Sequence, residues 1–278
     1  MKFTAHSKEL KSFLLTEKDK GHTIGFVPTM GALHNGHLSL IKKARENCDI
    51  VVCSIFVNPT QFNEKSDLDK YPRTLEADKE LIKEYCNYLF SPASVNEVYG
   101  EKIELKNFDF GGLENVLEGE FRPGHFQGMA NVVSLLLQIV KPDKAFFGLK
   151  DFQQYRIVTK LVELINLETE IVGCPIIREE NGLARSSRNE RLTPKGREAA
   201  SVISYGLNYI KEYHSYFTVK EIQNNAKAMI QGILDVEYLE IRDSKSLLEF
   251  ENWEDCDEIF VSFAGTIDGV RLIDNVRF

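Results

Sequence analysis

An apolar run from Ile50 to Val57 places the strongest constraint on how this chain can fold. A run of this kind is typical of a parallel strand that is covered on both faces. It follows a shorter apolar segment, Ile24 to Val27, and a helical pattern from His37 to about Cys48. The three segments predict a strand, a helix and a second strand, which together form a βαβ unit.

The same alternation of strand and helix patterns continues to about residue 177, and the sequence pattern then changes. Beyond Arg178, Thr193-Pro194 and the capping box Thr218 to Glu221 are typical helix starts. The predicted fold is a Rossmann-like, doubly wound parallel sheet in residues 1–178, followed by a smaller carboxyl-terminal α+β domain in residues 179–278 that we expect to act as a lid. Further helices are predicted at 6–19, 74–86 and 126–140, and strands at 88–90, 101–106, 144–148, 169–177, 236–242, 258–264 and 271–275.

The helix predicted at 126–140 is apolar over a wider surface than an ordinary amphipathic helix. Two explanations stay open at this point. Either the helix is central to the fold, or it lies at a dimer contact.

The composition limits the classes of partner. Lys and Arg number 34 against 42 Asp and Glu, which gives a net charge of −8 and disfavours nucleic acid and anionic membranes as partners. No apolar run approaches a membrane span, and the first residues lack the apolar core of a signal peptide, so we expect a cytoplasmic protein. The five cysteines have no Cys-x-x-Cys spacing and are interpreted as reduced and structural.

Residues 28 to 37 join the first predicted strand to the next helix and carry two histidines, His34 and His37. The amide groups and positive dipole end of a helix start attract phosphate, and an imidazole can donate to a phosphoryl oxygen as charge builds there. Two alternatives stay open. A histidine at such a position can be a cap or a surface residue, and His-x-x-His can be half of a zinc site, although the other four histidines are scattered along the chain.

His34-Asn35-Gly36-His37 also fits the His-x-Gly-His pattern of the nucleotidylyltransferase and class I tRNA synthetase superfamily, whose members act on the α-phosphate of nucleoside triphosphates. Three more polar stretches, 58 to 61, 148 to 154 and 185 to 189, fall at ends of predicted strands or at the domain joint. In doubly wound sheets the carboxyl ends of the strands bind the ligand.

Six motifs, in order and over nearly the whole length, resemble those of the pantoate–β-alanine ligase family. They are Pro28 to His37, Ser54 to Phe62, Tyr71 to Thr74, Arg122 to Phe126, Phe146 to Gln154 and Ser186 to Asn189. The resemblance implies an ATP-dependent condensation of (R)-pantoate with β-alanine through a pantoyl adenylate, which releases diphosphate and then AMP. It also implies a homodimer formed through the amino-terminal domain.

The resemblance implies roles for individual residues. His34, His37, Lys150 and Arg188 would offset charge at the phosphates, Asp151 would bind ribose and Ile177 would contact adenine, with Mg²⁺ bridging the phosphates. Gln61 and Gln154 would bind pantoate. The full set of residues expected to bind ATP is Met30, Gly31, Ala32, Leu33, His34, Asn35, Gly36, His37, Gly148, Leu149, Lys150, Asp151, Ile177, Arg185, Ser186, Ser187 and Arg188.

Some positions depart from the family pattern or have a plausible structural role instead. The family commonly has an apolar residue before Ser-Ser-Arg-Asn, whereas this chain has Arg185, which we expect to point to solvent rather than to phosphate. Asn58, Tyr71, Asp78, Arg122 and His125 match positions near the family's pocket. Each of these could instead be structural.

Two other functions compete with this interpretation. A nucleotidylyltransferase that acts on a phosphorylated acceptor shares His-x-Gly-His, but commonly lacks the carboxyl-terminal domain and both glutamine motifs. A catalytically silent ATP-binding or scaffold protein could keep the same fold. Measuring diphosphate release distinguishes these from the ligase.

Overall fold

The computed structural model describes residues 1–61 and 71–278 and divides into two compact units. The first unit comprises Met1–Leu149 and Gln153–Pro175, and the second comprises Lys150–Phe152 and Ile176–Phe278. Residues 176–178, which the sequence placed in the first domain, therefore fold with the second unit. The side chain of Gln61 and all of Phe62 lie outside the described residues.

The first unit contains a six-stranded, fully parallel sheet in the described part of the chain, as predicted. Every residue of the strand Ile50–Ile55 is buried, in agreement with its apolar sequence. The order of strands across the sheet is β1-β4-β3-β2-β5-β6. The strands are β1 (Lys2–Thr4), β2 (Ile24–Thr29), β3 (Ile50–Ile55), β4 (Tyr88–Phe90), β5 (Lys144–Gly148) and β6 (Glu170–Cys174).

Helices cover both faces of this sheet. Neighbouring residues of one strand enter different cores: Phe26 packs with the first and last helices of the unit, and Val27 packs with Ile41 on the other side. This two-sided arrangement confirms the doubly wound fold. The helices of this unit are α1 (Ser7–Asp19), α2 (Asn35–Asn47), α3 (Leu75–Ile82), α4 (Asn96–Tyr99), α5 (Glu118–Phe121), α6 (His125–Val140) and α7 (Phe152–Leu164).

The broadly apolar helix α6 is central. Thirteen of its sixteen residues are buried within the chain itself, including Phe126, Met129 and Leu137. Its wide apolar surface is thus explained without a dimer contact.

Several predicted elements differ from the structure. Residues 101–106 do not form a strand, because the backbone at Lys106 and Phe108 bonds to the side-chain amides of Asn131 and Gln127 instead of to a neighbouring strand. The strand β1 was not predicted, since three residues at a sheet edge leave no periodic signal. The helix predicted to end at Cys86 ends at Ile82.

The second unit contains a three-stranded antiparallel sheet packed with helices, as the α+β prediction requires. Thr193 caps the helix that begins at Pro194, and Thr218 and Glu221 form the predicted capping box. The elements are α8 (Pro194–Ala199), α9 (Val202–Tyr213), α10 (Val219–Gln231), β7 (Asp235–Asp243), β8 (Ile259–Ile267) and β9 (Val270–Arg277).

All five cysteines are unpaired, and four of them are buried. Their reduced state stays a prediction. Across residues 1–61 and 71–278, no helix combines the length and the hydropathy needed to cross a bilayer.

Candidate active site

The order of the parallel strands locates the candidate site of the first unit. The chain runs from β2 through β3 to β4 on one side of the sheet, whereas β5 and β6 extend the sheet on the other side of β2. The topology therefore switches between β2 and β5, and ligands of doubly wound folds bind at the carboxyl ends of strands at such a point. The residues directly after these two strands are Met30 to His34 and Leu149.

His34 and His37 stand at the start of α2, which begins at Asn35 and not at His37 as the sequence predicted. His34 is the residue that precedes the helix, and its Nδ1 accepts the amide of Gly36 at 3.1 Å. The amide of His34 in turn donates to Nδ1 of His37 at 3.3 Å, and the two ring centroids are 4.2 Å apart. The two histidines are therefore a form of the capping box, with imidazoles in place of the usual oxygen acceptors.

This cap determines the tautomer of both rings. A backbone amide can only donate, so each Nδ1 must accept, and in the neutral ring the proton is then on Nε2. Each imidazole is thus arranged to offer an Nε2–H donor.

Gly36 is required by the same geometry. A Cβ at this position would lie 2.8 Å from Cε1 and 2.9 Å from Nδ1 of the His34 ring, which is closer than non-bonded atoms approach. Any larger residue would displace the ring, so the glycine of the motif makes room for the first histidine.

A buried carboxylate, Asp78 of α3, holds the loop between β2 and His34. Its two oxygens accept the amides of Ala32 at 3.0 Å and Leu33 at 2.8 Å, and Thr74 donates to it as well. Gly31 and Ala32 both have positive φ, 84° and 50°, so the chain turns sharply here. Of the two roles open to Asp78, the structure shows the structural one, which supports the predicted nucleotide-binding segment.

The two adjacent glutamines after β5 differ in their surroundings. Gln153 is buried, accepts the amide of Glu118 at 3.1 Å and donates to the carbonyls of Leu113 and Val116 at 2.7 Å. Gln154, the predicted pantoate ligand, is only partly buried. Gln153 is therefore a packing residue, and Gln154 retains the exposure that a substrate ligand needs.

Asn58 fixes the turn that carries Gln61, the other predicted pantoate ligand. It is buried after β3, donates to the carbonyl of Gly128 at 3.3 Å and accepts the hydroxyl of Tyr99 at 3.0 Å. The backbone of the 3-10 turn Pro59–Gln61 follows directly.

In the second unit, residues 185 to 188 are organised around Glu179. This carboxylate accepts Arg197 through two nitrogens at 2.7 and 2.8 Å, Asn189 at 2.7 Å and Arg185 at 2.9 Å. The Arg197 bonds in particular, and those from Asn189 and Arg185, lower the pKa of Glu179 to about 2 although burial acts in the opposite direction. Sequence reasoning missed Glu179, because a glutamate in a polar loop gives no signal of burial.

The expectation that Arg185 points to solvent is wrong. Its guanidinium pairs with Glu179 at 2.9 Å and with Glu190 at 3.5 Å, and its amide donates to the carbonyl of Ile177. Part of its charge is thus compensated within the second unit, and a contact with ATP stays a prediction.

The remaining predicted residues of the second unit lie near this network or near β9. Ser186 accepts the amide of Arg188 at 3.3 Å and begins the 3-10 turn Ser187–Arg191. Ile177 is partly exposed, and Asp151 is exposed beside Lys150. Lys150 and Asp151 belong to this unit although they follow β5 in the chain.

Comparison with known proteins gives one consistent result. The family model for pantoate–β-alanine ligase matches residues 2–277. Pantothenate synthetase from Christiangramia forsetii is 48% identical to this chain, and the match covers 93% of both proteins. Pantothenate synthetase from Porphyromonas gingivalis is 47% identical, and the match covers 97% of this chain and 96% of that protein. The crystal structure of pantothenate synthetase from Thermus thermophilus superposes with a TM-score of 0.92 at 38% identity, over 99% of both chains.

A fourth relative carries ligands. The pantoate–β-alanine ligase from Francisella tularensis, complexed with β-γ ATP and β-alanine, superposes with a TM-score of 0.81 at 37% identity, over 99% of this chain and 97% of that one.

Replacing Glu179, the carboxylate that binds Arg185, Asn189 and Arg197, should have a pH-dependent effect on stability. At neutral pH, Glu179→Gln should reduce the free energy of unfolding by roughly 2–3 kcal/mol. At about 1.4 kcal/mol per pKa unit the shift from 4.5 to about 2 corresponds to about 3.5 kcal/mol, and solvent screening of the partly exposed arginines lowers this figure. The pKa of Glu179 is lower in the folded state, so this contribution is complete above pH 4.5 and is lost as the pH falls toward about 2. Urea unfolding of both proteins at pH 7 and pH 3 measures the change.

Glu190→Gln is the matched control, because Glu190 contacts the same two arginines but its side chain is 64% exposed. Its effect should be small at both pH values. A difference between wild type and Glu179→Gln that is equal at pH 7 and pH 3 would contradict the assigned pKa.

Proposed function

The chain belongs to the pantoate–β-alanine ligase family, and on this premise we propose how its residues carry out the family's reaction. It is a ligase that condenses (R)-pantoate with β-alanine and uses ATP to form pantothenate. The observation that carries the assignment of roles is the pair His34 and His37, whose Nδ1 atoms both accept backbone amides at the start of α2.

In the first step a carboxylate oxygen of pantoate attacks the α-phosphorus of ATP, and the bond to the diphosphate oxygen breaks. Negative charge grows on the phosphate oxygens as this happens. His34 and His37 then donate from Nε2 to those oxygens, and the cap that fixes their rings keeps the donors oriented before the reaction begins.

Two cationic side chains are assigned to the same step. Lys150 and Arg188 offset the charge of the phosphates and of the departing diphosphate, and Ser186 and Ser187 act as hydroxyl donors. Glu179 binds two guanidinium groups, so its own negative charge is compensated beside the segment that carries Arg188.

The nucleoside is bound largely by backbone. The backbone that binds it is that of Met30 to Gly36 and of Gly148 and Leu149 after β5. Asp78 and the histidine cap hold the first of these segments in place. Asp151 binds the ribose and Ile177 contacts the adenine.

Pantoate is bound by the carboxamides of Gln61 and Gln154. A carboxamide holds a carboxylate and hydroxyls without the strong ion pair that an arginine would form, so the attacking oxygen stays nucleophilic. In the second step the free amine of β-alanine attacks the acyl carbon of the adenylate, AMP leaves and the nitrogen loses one proton.

We propose that magnesium binds together with ATP. Within residues 1–61 and 71–278 there is no group of three or more His, Cys, Asp or Glu side chains arranged to hold a metal ion. Mg²⁺ is commonly held by substrate phosphates and water with few protein ligands, and it would neutralise phosphate charge when bound.

Two further properties are proposed from the family and the composition. We infer a homodimer. Light scattering at micromolar concentration tests this, and a measured mass of one chain would contradict it. Unpaired cysteines fit a reducing compartment, so we place the protein in the cytoplasm, which cell fractionation tests.

Diphosphate release tests the reaction itself. With ATP and magnesium, release should require (R)-pantoate, and AMP and pantothenate should accumulate when β-alanine is added. Release that responds to a phosphorylated acceptor and not to pantoate would instead indicate a nucleotidylyltransferase.

The histidines should matter for the first step above all. His34→Ala and His37→Ala are each expected to slow pantoate-dependent diphosphate release by at least about a hundredfold, because each removes a donor to the transition state. Single-turnover measurement isolates this step. Near-normal rates in both variants would remove the histidines from the mechanism.

The two adjacent glutamines provide a matched pair of variants. Gln154→Ala should raise the KM for pantoate by about tenfold or more and leave the melting temperature near that of the wild type, since it removes a substrate contact. Gln153→Ala should lower the melting temperature by several degrees, because three backbone groups lose their partner. The reverse pattern would exchange the two assignments.

A further inference from the structure

The segment Lys150–Phe152 follows a strand of the first unit in the chain but folds with the second. One hydrogen bond links it to the last strand of that unit. The side-chain amide of Asn275 on β9 donates from Nδ2 to the carbonyl oxygen of Lys150 at 2.8 Å. Asn275 is buried, with 4% of its surface exposed, whereas Lys150 is only partly buried, so the donor end of this bond is the shielded one.

The donor is itself held in place by an ion pair between Arg178 and the buried carboxylate of Asp274. Asp274 accepts the Arg178 guanidinium at 2.6 and 3.0 Å, and Arg178 also donates to the carbonyl of Asn275 at 3.3 Å. The amide of Asn275 donates to Asp274 at 2.7 Å. The amide and the carbonyl of Asn275 are therefore both hydrogen-bonded, which holds the backbone from which its side chain extends to Lys150.

A second contact anchors the other end of the segment. The ring of Phe152 lies 4.6 Å from the ring of Phe260 on β8, and the guanidinium of Arg277 lies 4.7 Å from the Phe152 ring. Lys150 is thus bracketed by a hydrogen bond at its own carbonyl and an aromatic contact two residues later.

We propose that Asn275 is a positioning residue for Lys150 in the adenylation step. This rests on the proposed function, in which Lys150 offsets phosphate charge. A carbonyl held at 2.8 Å fixes the orientation of the peptide that follows Lys150, and with it the direction in which the side chain leaves the backbone. A displacement of about 1 Å in a group that must meet a reacting phosphate can cost about a hundredfold in rate.

A double-mutant cycle tests this assignment. Asn275→Ala should lower the rate of pantoate-dependent diphosphate release by about tenfold to a hundredfold and leave the KM for pantoate unchanged. In a Lys150→Ala background the same substitution should change the rate by less than about twofold, because residues that act through one another are not additive. Equal losses in both backgrounds would overturn the proposal.

Leu272→Val is the control for stability, since it shortens a buried side chain on the same strand and leaves the bond from Asn275 intact. It should lower the melting temperature and keep the rate near that of the wild type. A rate loss as large as that of Asn275→Ala at a similar melting temperature would show a structural effect and overturn the proposal. If Asn275→Ala does not fold, Phe152→Leu loosens the same segment from its other anchor, and its rate loss should likewise vanish in the Lys150→Ala background.

The outcomes separate this inference from the function on which it rests. A wild type without pantoate-dependent diphosphate release, or a Lys150→Ala enzyme as fast as the wild type, would reject the proposed function or the role of Lys150, and this proposal with it. An active wild type with a slow Lys150→Ala variant and a normal Asn275→Ala variant would reject only the positioning role.

Discussion

Two hydrogen bonds to the carboxylate of Asp78 determine the path of the chain from the central strand β2 to the histidines. Ala32 has a φ of 50°, which costs a residue with a side chain about 1–2 kcal/mol. Hydrogen bonds to a charged group are worth about 1.5–3 kcal/mol each, so the bonds that Asp78 accepts from Ala32 and Leu33 outweigh that strain. These bonds therefore stabilise the turn that leads to His34, the residue that precedes α2.

Glu179 has a comparable place in the second unit, although it works through side chains. It joins Arg185 before the Ser186–Arg188 segment, Asn189 within the following turn and Arg197 on α8. A carboxylate beside the proposed phosphate-binding segment would ordinarily repel the ligand. Here two guanidinium groups surround the carboxylate, so Glu179 holds the segment without leaving an uncompensated negative charge beside it.

Long, regular patterns in the sequence predicted most of the fold. The apolar strands β2, β3 and β5 and the caps at Thr193 and Thr218 depend on local residues alone, and they were found close to their observed bounds. The elements that were wrong or missing depend on distant partners. The sequence of residues 101–106 predicts a strand. The backbone at and just after the end of this segment instead bonds to side chains of α6, and no local pattern reveals this. The candidate site shows the same division, because the resemblance supplied residue identities at the motifs but not the bonds that orient them: Asn275 lies 125 positions from Lys150 in the sequence.

The spacing of His34, Gly36 and His37 follows from the geometry of a helix start. The first histidine precedes the helix, the glycine is its second residue and the second histidine its third, which are the positions whose amide and side chain meet in a capping box. Glycine is needed because the first ring packs against its Cα, whereas the position between them, Asn35, is exposed. The same bonds that satisfy the helix start also leave the proton of each neutral ring on Nε2. The bonds that stabilise the helix start are therefore the same bonds that would orient the two proposed phosphate donors.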